Sequence, residues 1–222
     1  MEDELQLVIT GDGSPSIFSS RFGQHYHSTF GAATESRVVF IRNGLNYFLS
    51  NSNQSFTSEK PLQIFEMGFG TGLNALLTFS ESGKLRIPVH YTAIEAYPLP
   101  RNMQEMFLKA ASGQYKTQSE HSSGFRLSTS EGIFNIGDTF TIELLYRNLE
   151  QWEPAGAVFN IIYFDAFSPD IQPELWSEDI FHRLYQCLAP GGVLVTYCVK
   201  GVVVRALKAV GFSVEKLPGP PG

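Results

Sequence analysis

The stretch Phe65-Glu66-Met67-Gly68-Phe69-Gly70-Thr71-Gly72-Leu73-Asn74 sets three glycines at alternate positions, directly after an apolar run that begins at Leu62. Leu62 to Met67 has the length and apolar content of a buried strand, and Gly72 to about Ser80 reads as the helix that follows it. Glycines between a strand and a helix remove the side chains that would block a tight turn, and they let a ligand approach the backbone. A dinucleotide fingerprint needs its third glycine at the position where this chain has Leu73. The G-x-G-x-G spacing therefore fits S-adenosylmethionine better than a nicotinamide dinucleotide, with a purely structural turn as the alternative.

Outward from this loop the chain alternates strand-like and helix-like segments, which predicts an α/β, Rossmann-like fold: a mostly parallel central sheet with helices on both faces. Strands are expected at Val89 to Glu95, Phe140 to Tyr146, Val158 to Phe164, Val193 to Val199 (buried) and Phe212 to Leu217. Helices are expected at Leu99 to Ala110, Pro173 to Leu188 and Val202 to Val210, and Ser112 to Gly137 reads as a long loop or hairpin insertion. Ahead of the core, Leu5 to Thr10 and Arg37 to Ile41 look like short strands, and the polar stretch Ser50 to Lys60 ends the region. Residues 1–60 are thus expected to form a small β-rich extension or lid packed on a methyltransferase domain at 61–222. The block Arg21 to Ser28, which mixes titratable and aromatic side chains, is the natural lid.

Composition narrows the class. With 222 residues, 43% hydrophobic and 17% charged, one substantial core is expected rather than a disordered chain. The apolar runs are too short to span a bilayer and the acidic start Met1-Glu2-Asp3-Glu4 is unlike a signal peptide, so a cytoplasmic protein that avoids membranes is expected. Cys187 and Cys198 read as buried reduced thiols, and His25 with His27 lacks the spacing of a zinc site, so no metal is expected. A net charge of −6 argues against indiscriminate nucleic-acid binding. Lys200, Arg205, Lys208 and Lys216 gather on and around the last helix, either as a solvated face or as a local phosphate contact.

Two acids stand where open α/β sheets bind ligands, at the carboxyl ends of strands. Glu95 ends the second strand of the core, where a carboxylate can accept hydrogen bonds from both hydroxyls of a ribose. Asp165 ends the most apolar strand and is followed by Ala166-Phe167-Ser168-Pro169. Methyl transfer to nitrogen needs a neutral amine aimed at the methyl carbon and a group that takes the lost proton, and a carboxylate can do both. Asp165 is therefore the candidate catalytic residue, although a strand-end Asp can also merely cap a turn. Glu66 would lie near the ammonium of the cofactor's methionine, or else serve the helix N-terminus.

Three segments together resemble a specific family. Phe65 to Asn74 (FEMGFGTGLN), Tyr163 to Trp176 (YFDAFSPDIQPELW) and Ala189 to Gly211 (APGGVLVTYCVKGVVVRALKAVG), with weaker likeness over Tyr26 to Phe40, resemble the methyltransferase module of the MnmC family, bacterial enzymes that modify the tRNA wobble uridine. The resemblance implies methyl transfer from S-adenosylmethionine to the primary amine of 5-aminomethyl(-2-thio)uridine in tRNA. It implies a cofactor site at Glu66, Gly68, Gly70, Thr71, Gly72, Asn74 and Glu95, and an acceptor pocket shaped by Asp165, Phe167, Ser168 and Pro169, with Tyr26 and Glu35 beside it. Where the family commonly has Gly-Asp facing the adenine, this chain has Arg147-Asn148, and Asn148 is the expected substitute. The flavin-dependent oxidase domain of the bifunctional relatives has no counterpart in these 222 residues, so a stand-alone methyltransferase is expected. A methyltransferase or aminopropyltransferase acting on a small amine, or a non-catalytic tRNA- or cofactor-binding protein, are the alternatives.

Overall fold

The computed structural model describes residues 3–112, 130–153 and 156–220. Nine strands among them form two sheets. β1 (Leu5–Ile9), β2 (Pro15–Ser19) and β3 (Gln24–His25) make a small antiparallel sheet in that order. The main sheet takes β4 (Leu62–Met67), β5 (Val89–Ile94), β6 (Gly132–Ile136), β7 (Phe140–Leu145), β8 (Phe159–Phe164) and β9 (Leu188–Thr196), in the order β6-β7-β5-β4-β8-β9. Every neighbouring pair in it is parallel except β6 with β7. The glycine stretch thus leads out of β4, one of the two central strands.

Side-chain alternation along the central strands builds two cores. Ile64 on β4 and Ile161 and Tyr163 on β8 face one side, with Leu76 of α3 (Leu73–Leu85) and Phe107 of α4 (Arg101–Ser112). Phe65, Met67, Ile162 and Phe164 face the other, against Phe181 of α5 (Glu178–Cys187) and Val203 of α6 (Gly201–Ala209). Each fully buried Phe contributes roughly 2–3 kcal/mol of apolar transfer, which is why the two central strands hold the carboxyl edge of the sheet firmly.

Residues 32–51 differ from expectation. Arg37 to Ile41 is not a strand: α1 (Ala32–Ser36) runs into a wider π-type helix over Arg37–Asn46 and then α2 (Tyr47–Asn51). Its buried positions Ala32, Ser36, Phe40, Gly44, Leu45 and Phe48 recur at helical spacing and bury that face on α3 and β9. Five residues read alone hid that period. Thr10 Oγ1 accepts from Ala32 N at 3.1 Å, Ser14 Oγ from Ala33 N at 2.9 Å and Asp12 Oδ2 from Thr34 N at 2.9 Å, so side chains far back in the chain cap this helix.

Three further expectations are corrected. Pro173 to Leu188 is two pieces, a 3-10 turn at Pro173–Trp176 and α5, separated by Ser177, whose hydroxyl caps α5 at Ile180 N. The strand expected at Val193 to Val199 begins at Leu188, ends at Thr196 and lies half-exposed at the sheet edge. Phe212 to Leu217 forms no strand among the described residues; Phe212 instead sets its ring edge-on against Tyr185, with centroids 5.0 Å apart. The insertion read from Ser112 to Gly137 contributes β6 at its end, and residues 113–129 of it lie outside the described residues.

Candidate active site

The loop after β4 turns because its glycines adopt backbone angles closed to other residues. Gly68, Gly70 and Gly72 have φ of 87°, 51° and 77°. A Cβ on Gly68 would collide with the Asp165 carbonyl oxygen, and one on Gly70 would lie 2.8 Å from the Tyr26 ring. These two glycines are therefore required by close approach as well as by conformation. Backbone bonds fix the neighbouring strand ends to one another: Gly68 N donates to Ile94 O at 3.1 Å, Asp165 N to Met67 O at 2.9 Å and Glu95 N to Leu145 O at 2.9 Å.

A cleft of about 470 Å³ opens over this edge. Of the residues expected at the site, Gly68, Gly70, Thr71, Asn74, Glu95, Asn148, Asp165, Phe167, Ser168, Tyr26 and Glu35 line it. Glu66, Gly72 and Pro169 are not among its lining residues; Glu66 is fully buried behind Asn74. His27, Gln24, Tyr97 and Tyr197 line it without having been singled out one by one. Of these, Tyr197 had a readable signal, since it follows the carboxyl end of β9, where this fold puts ligands.

Glu95 is held rigidly. Its Oε2 accepts from Gly70 N at 2.9 Å and its Oε1 from Tyr97 N at 2.8 Å, which ties the glycine loop to the end of β5. Each oxygen keeps a lone pair for a hydroxyl. Burial raises the Glu95 carboxyl above the usual range while these backbone hydrogens oppose the rise.

Around Asp165 the acids crowd. Asn74 Nδ2 donates to Asp165 Oδ2 and to Glu66 Oε1, each at 2.8 Å. Burial pushes the Asp165 carboxyl up to about 8; the Glu35 carboxylate adds to this, and the Asn74 hydrogen bond opposes it. Glu35, carried by α1, accepts from Ser28 N at 3.0 Å and is likewise raised by burial. Near neutral pH such surroundings keep the proton on Asp165 until a cation arrives, and burial works in the same direction on Glu35. It suits an amine.

The segment after β2 packs over the glycine loop and the Phe167 turn. Tyr26 lies over Gly70 and meets Phe167 edge-on at 5.1 Å, while Phe22 stacks on Phe167 at 4.2 Å. Gln24 Nε2 donates to Ser168 Oγ at 3.0 Å, and the His27 ring sits between Ser16 Oγ at 3.2 Å and Thr71 Oγ1 at 3.3 Å. Burial pulls His27 down to about 4, so the ring is neutral at ordinary pH. Among the described residues, no three His, Cys, Asp or Glu side chains are arranged to hold a metal ion.

A parallel sheet of this order, a glycine cradle under an open cleft and an acid at the next strand end define a Rossmann-like methyltransferase. The chain belongs to the family of S-adenosyl-L-methionine-dependent methyltransferases, whose sequence profile matches residues 105–222, and its cofactor is S-adenosylmethionine. It is 32% identical over 227 residues to the tRNA 5-methylaminomethyl-2-thiouridine biosynthesis bifunctional protein MnmC of Paracidovorax citrulli, covering 95% of this chain and 33% of that one. To the protein of the same name from Marinobacter nauticus it is 30% identical over 224 residues, 96% of this chain and 34% of that one. The chain therefore spans about a third of the length of these relatives. Its fold is that of MNMC2 from Aquifex aeolicus, with a TM-score of 0.67 at 21% identity over 96% of this chain and 65% of that one. No helix among the described residues is long and apolar enough to cross a membrane.

Proposed function

We propose that this protein methylates a primary amine on the wobble uridine of tRNA, converting the 5-aminomethyl(-2-thio) form to 5-methylaminomethyl. The observation that carries this reading is the set of buried carboxyls at the cleft, Asp165 with Glu35 beside it and Glu66 behind Asn74. The names of the MnmC relatives supply the tRNA half of it.

The glycine cradle of Gly68, Gly70 and Gly72 fits S-adenosylmethionine, because it bares backbone beside Glu95, and Glu95 has lone pairs free for ribose hydroxyls. Asn148 lines the same cleft, with its amide suited to an adenine edge. When bound, the cofactor supplies an electrophilic methyl on a sulfonium. The acceptor would enter as an ammonium whose charge displaces the Asp165 proton to solvent, and the Asp165 carboxylate would then take a proton from it and leave its lone pair free. A carboxyl raised to about 8 is a far better base than an ordinary one, which is what this step needs. With the first proton on Asp165, the freed lone pair would be placed for the N–C bond to form as the S–C bond breaks, and the secondary ammonium product would shed its excess proton to water. Phe167, Ser168 and Tyr26 enclose the acceptor, and Tyr26 and Phe22 exclude water from it. The cytoplasm is the compartment consistent with such a substrate.

Incubation with label in the cofactor methyl group and tRNA lacking the final methyl, followed by nucleoside analysis, tests the reading. Labelled 5-methylaminomethyluridine is the expected product. Transfer to a small amine with none to tRNA would sink the tRNA assignment and leave the amine chemistry standing.

A further inference from the structure

Asn74 Oδ1 is buried without a hydrogen-bond partner at the junction of the cofactor and acceptor ends of the site, and behind it the Glu66 carboxyl has the Tyr91 hydroxyl as its other polar neighbour. Glu66 is 0% exposed and Asn74 3%, so no bulk water satisfies them. Between them the Asn74 amide spends both hydrogens on carboxyls, one on Glu66 and one on Asp165. The other groups acting on this pair are Glu35 from α1, Glu95 at the end of β5, Tyr91 on β5, Tyr163 on β8 and Tyr197 beyond β9. All of these are acids or phenols, and none brings a positive charge. Two carboxyls held side by side in such surroundings resist ionising together.

We propose that Asn74 is a positioning residue, not a cofactor contact: it joins Glu66 and Asp165 into one proton-sharing pair that the ammonium group of a ligand opens. Glu66, behind Asn74 on the β4 side, would answer through that amide to the amino-acid end of the cofactor, and Asp165 on the β8 side directly to the acceptor amine. Entry of either ammonium displaces a proton to solvent, because the charge that the ligand brings replaces the one the proton had neutralised. Asn74 holds Asp165 at the cleft and Glu66 behind it through the exchange. The role of Asp165 rests on the amine-methylation reading, whereas the bridge itself does not.

Calorimetric titration in buffers of different ionisation enthalpy counts the displaced protons without any RNA. The two probes are S-adenosylhomocysteine, which has only the amino-acid ammonium, and an analogue that carries a further primary amine in place of the transferred methyl. Near pH 7, wild type is expected to release about one proton more with the amine analogue than with S-adenosylhomocysteine. Release with S-adenosylhomocysteine alone would assign the exchange to Glu66 and keep the bridge. In Asn74→Ala the proton count should fall or shift in pH, while affinity for S-adenosylhomocysteine changes less than about threefold. Asn74→Ser, which retains one donor, guards against a misfolded alanine variant and should behave between the two. In turnover, the acid limb of the kcat/KM profile should move upward by about one pH unit in Asn74→Ala, as the lost donor no longer favours the ionised form. No proton release from wild type with either probe, or an unchanged proton count and pH profile alongside a large loss of cofactor affinity, would overturn the proposal. Absence of tRNA methylation with proton release intact would fault the acceptor reading alone.

Discussion

Asp165 sits where folding would rather have a neutral group, and stability should record that conflict. Folded, its carboxyl keeps a proton up to about 8, while in the unfolded chain it loses it near its ordinary value of about 3.9. Between those values the folded form binds more protons, so rising pH lowers stability across that window and the full cost is reached only above it. Asp165→Asn should therefore melt higher than wild type at pH 8, with the gap closing toward pH 4, and should lose at least about a hundredfold in turnover. Thermal melts at both pH values with a methyl-transfer assay check this; an equal gap at the two would contradict it. Gly68→Ala should cost about 1–2 kcal/mol from its left-handed backbone alone, more from its collision with the Asp165 carbonyl, and should weaken cofactor binding. Denaturant unfolding and equilibrium dialysis measure the two effects. At this scale the sequence exposed Glu95 and Asp165 because strand ends can be located from pattern. It could not show Asn74 spanning two acids, since that contact joins residues 66, 74 and 165 through folding.

Helix α1 reaches the site as an element: what matters is that its N-terminus is capped so that Glu35 faces Asp165. Asp12 does much of that work, accepting from Thr34 N and Thr34 Oγ1 at 2.9 and 2.7 Å and from Ser14 N at 3.0 Å. Asp12→Ala should cost about 1 kcal/mol of stability and reduce kcat more than it reduces cofactor affinity, because it loosens Glu35 rather than the glycine loop. A denaturant melt and steady-state kinetics decide it. The β2–β3 hairpin has its own pH signature through His27, just beyond its end. Its folded value of about 4 lies below the unfolded value of about 6.5, so its contribution is present above that upper value and is lost as pH falls through the window. His27→Gln should flatten the acid side of the stability curve and loosen Thr71; melts between pH 4 and 7 read the first effect, and cofactor affinity the second. Element by element, strands flanked by regular helices were legible. Arg37 to Ile41 was not, because β-branched residues in a short window imitate a strand when their helical period extends beyond it.

Across the described residues two cores lie on opposite faces of one sheet, with the helical segment 32–51 packed against α3 and β9 and the small antiparallel sheet against α4. Ile17 of β2, Phe40 of the 32–51 segment and Tyr163 of β8 belong to one buried cluster, so the small sheet shares its packing with the strand that ends at Asp165. The mostly parallel character of the main sheet followed from the β/α alternation, while its strand order did not, and the fit of residues 22–27 onto the cleft depended on contacts between residues 40 or more apart, such as His27 with Thr71. A net charge of −6 means that an RNA substrate must be held by local contacts, and methylation of tRNA should fall steeply with added salt while cofactor affinity barely moves. The most direct test of the account is a crystal structure with S-adenosylhomocysteine bound. It predicts the ribose hydroxyls on Glu95, the nucleoside over Gly68 to Gly72 and the sulfur facing Asp165. A ligand lodged elsewhere, or a sulfur turned away from Asp165, would contradict it.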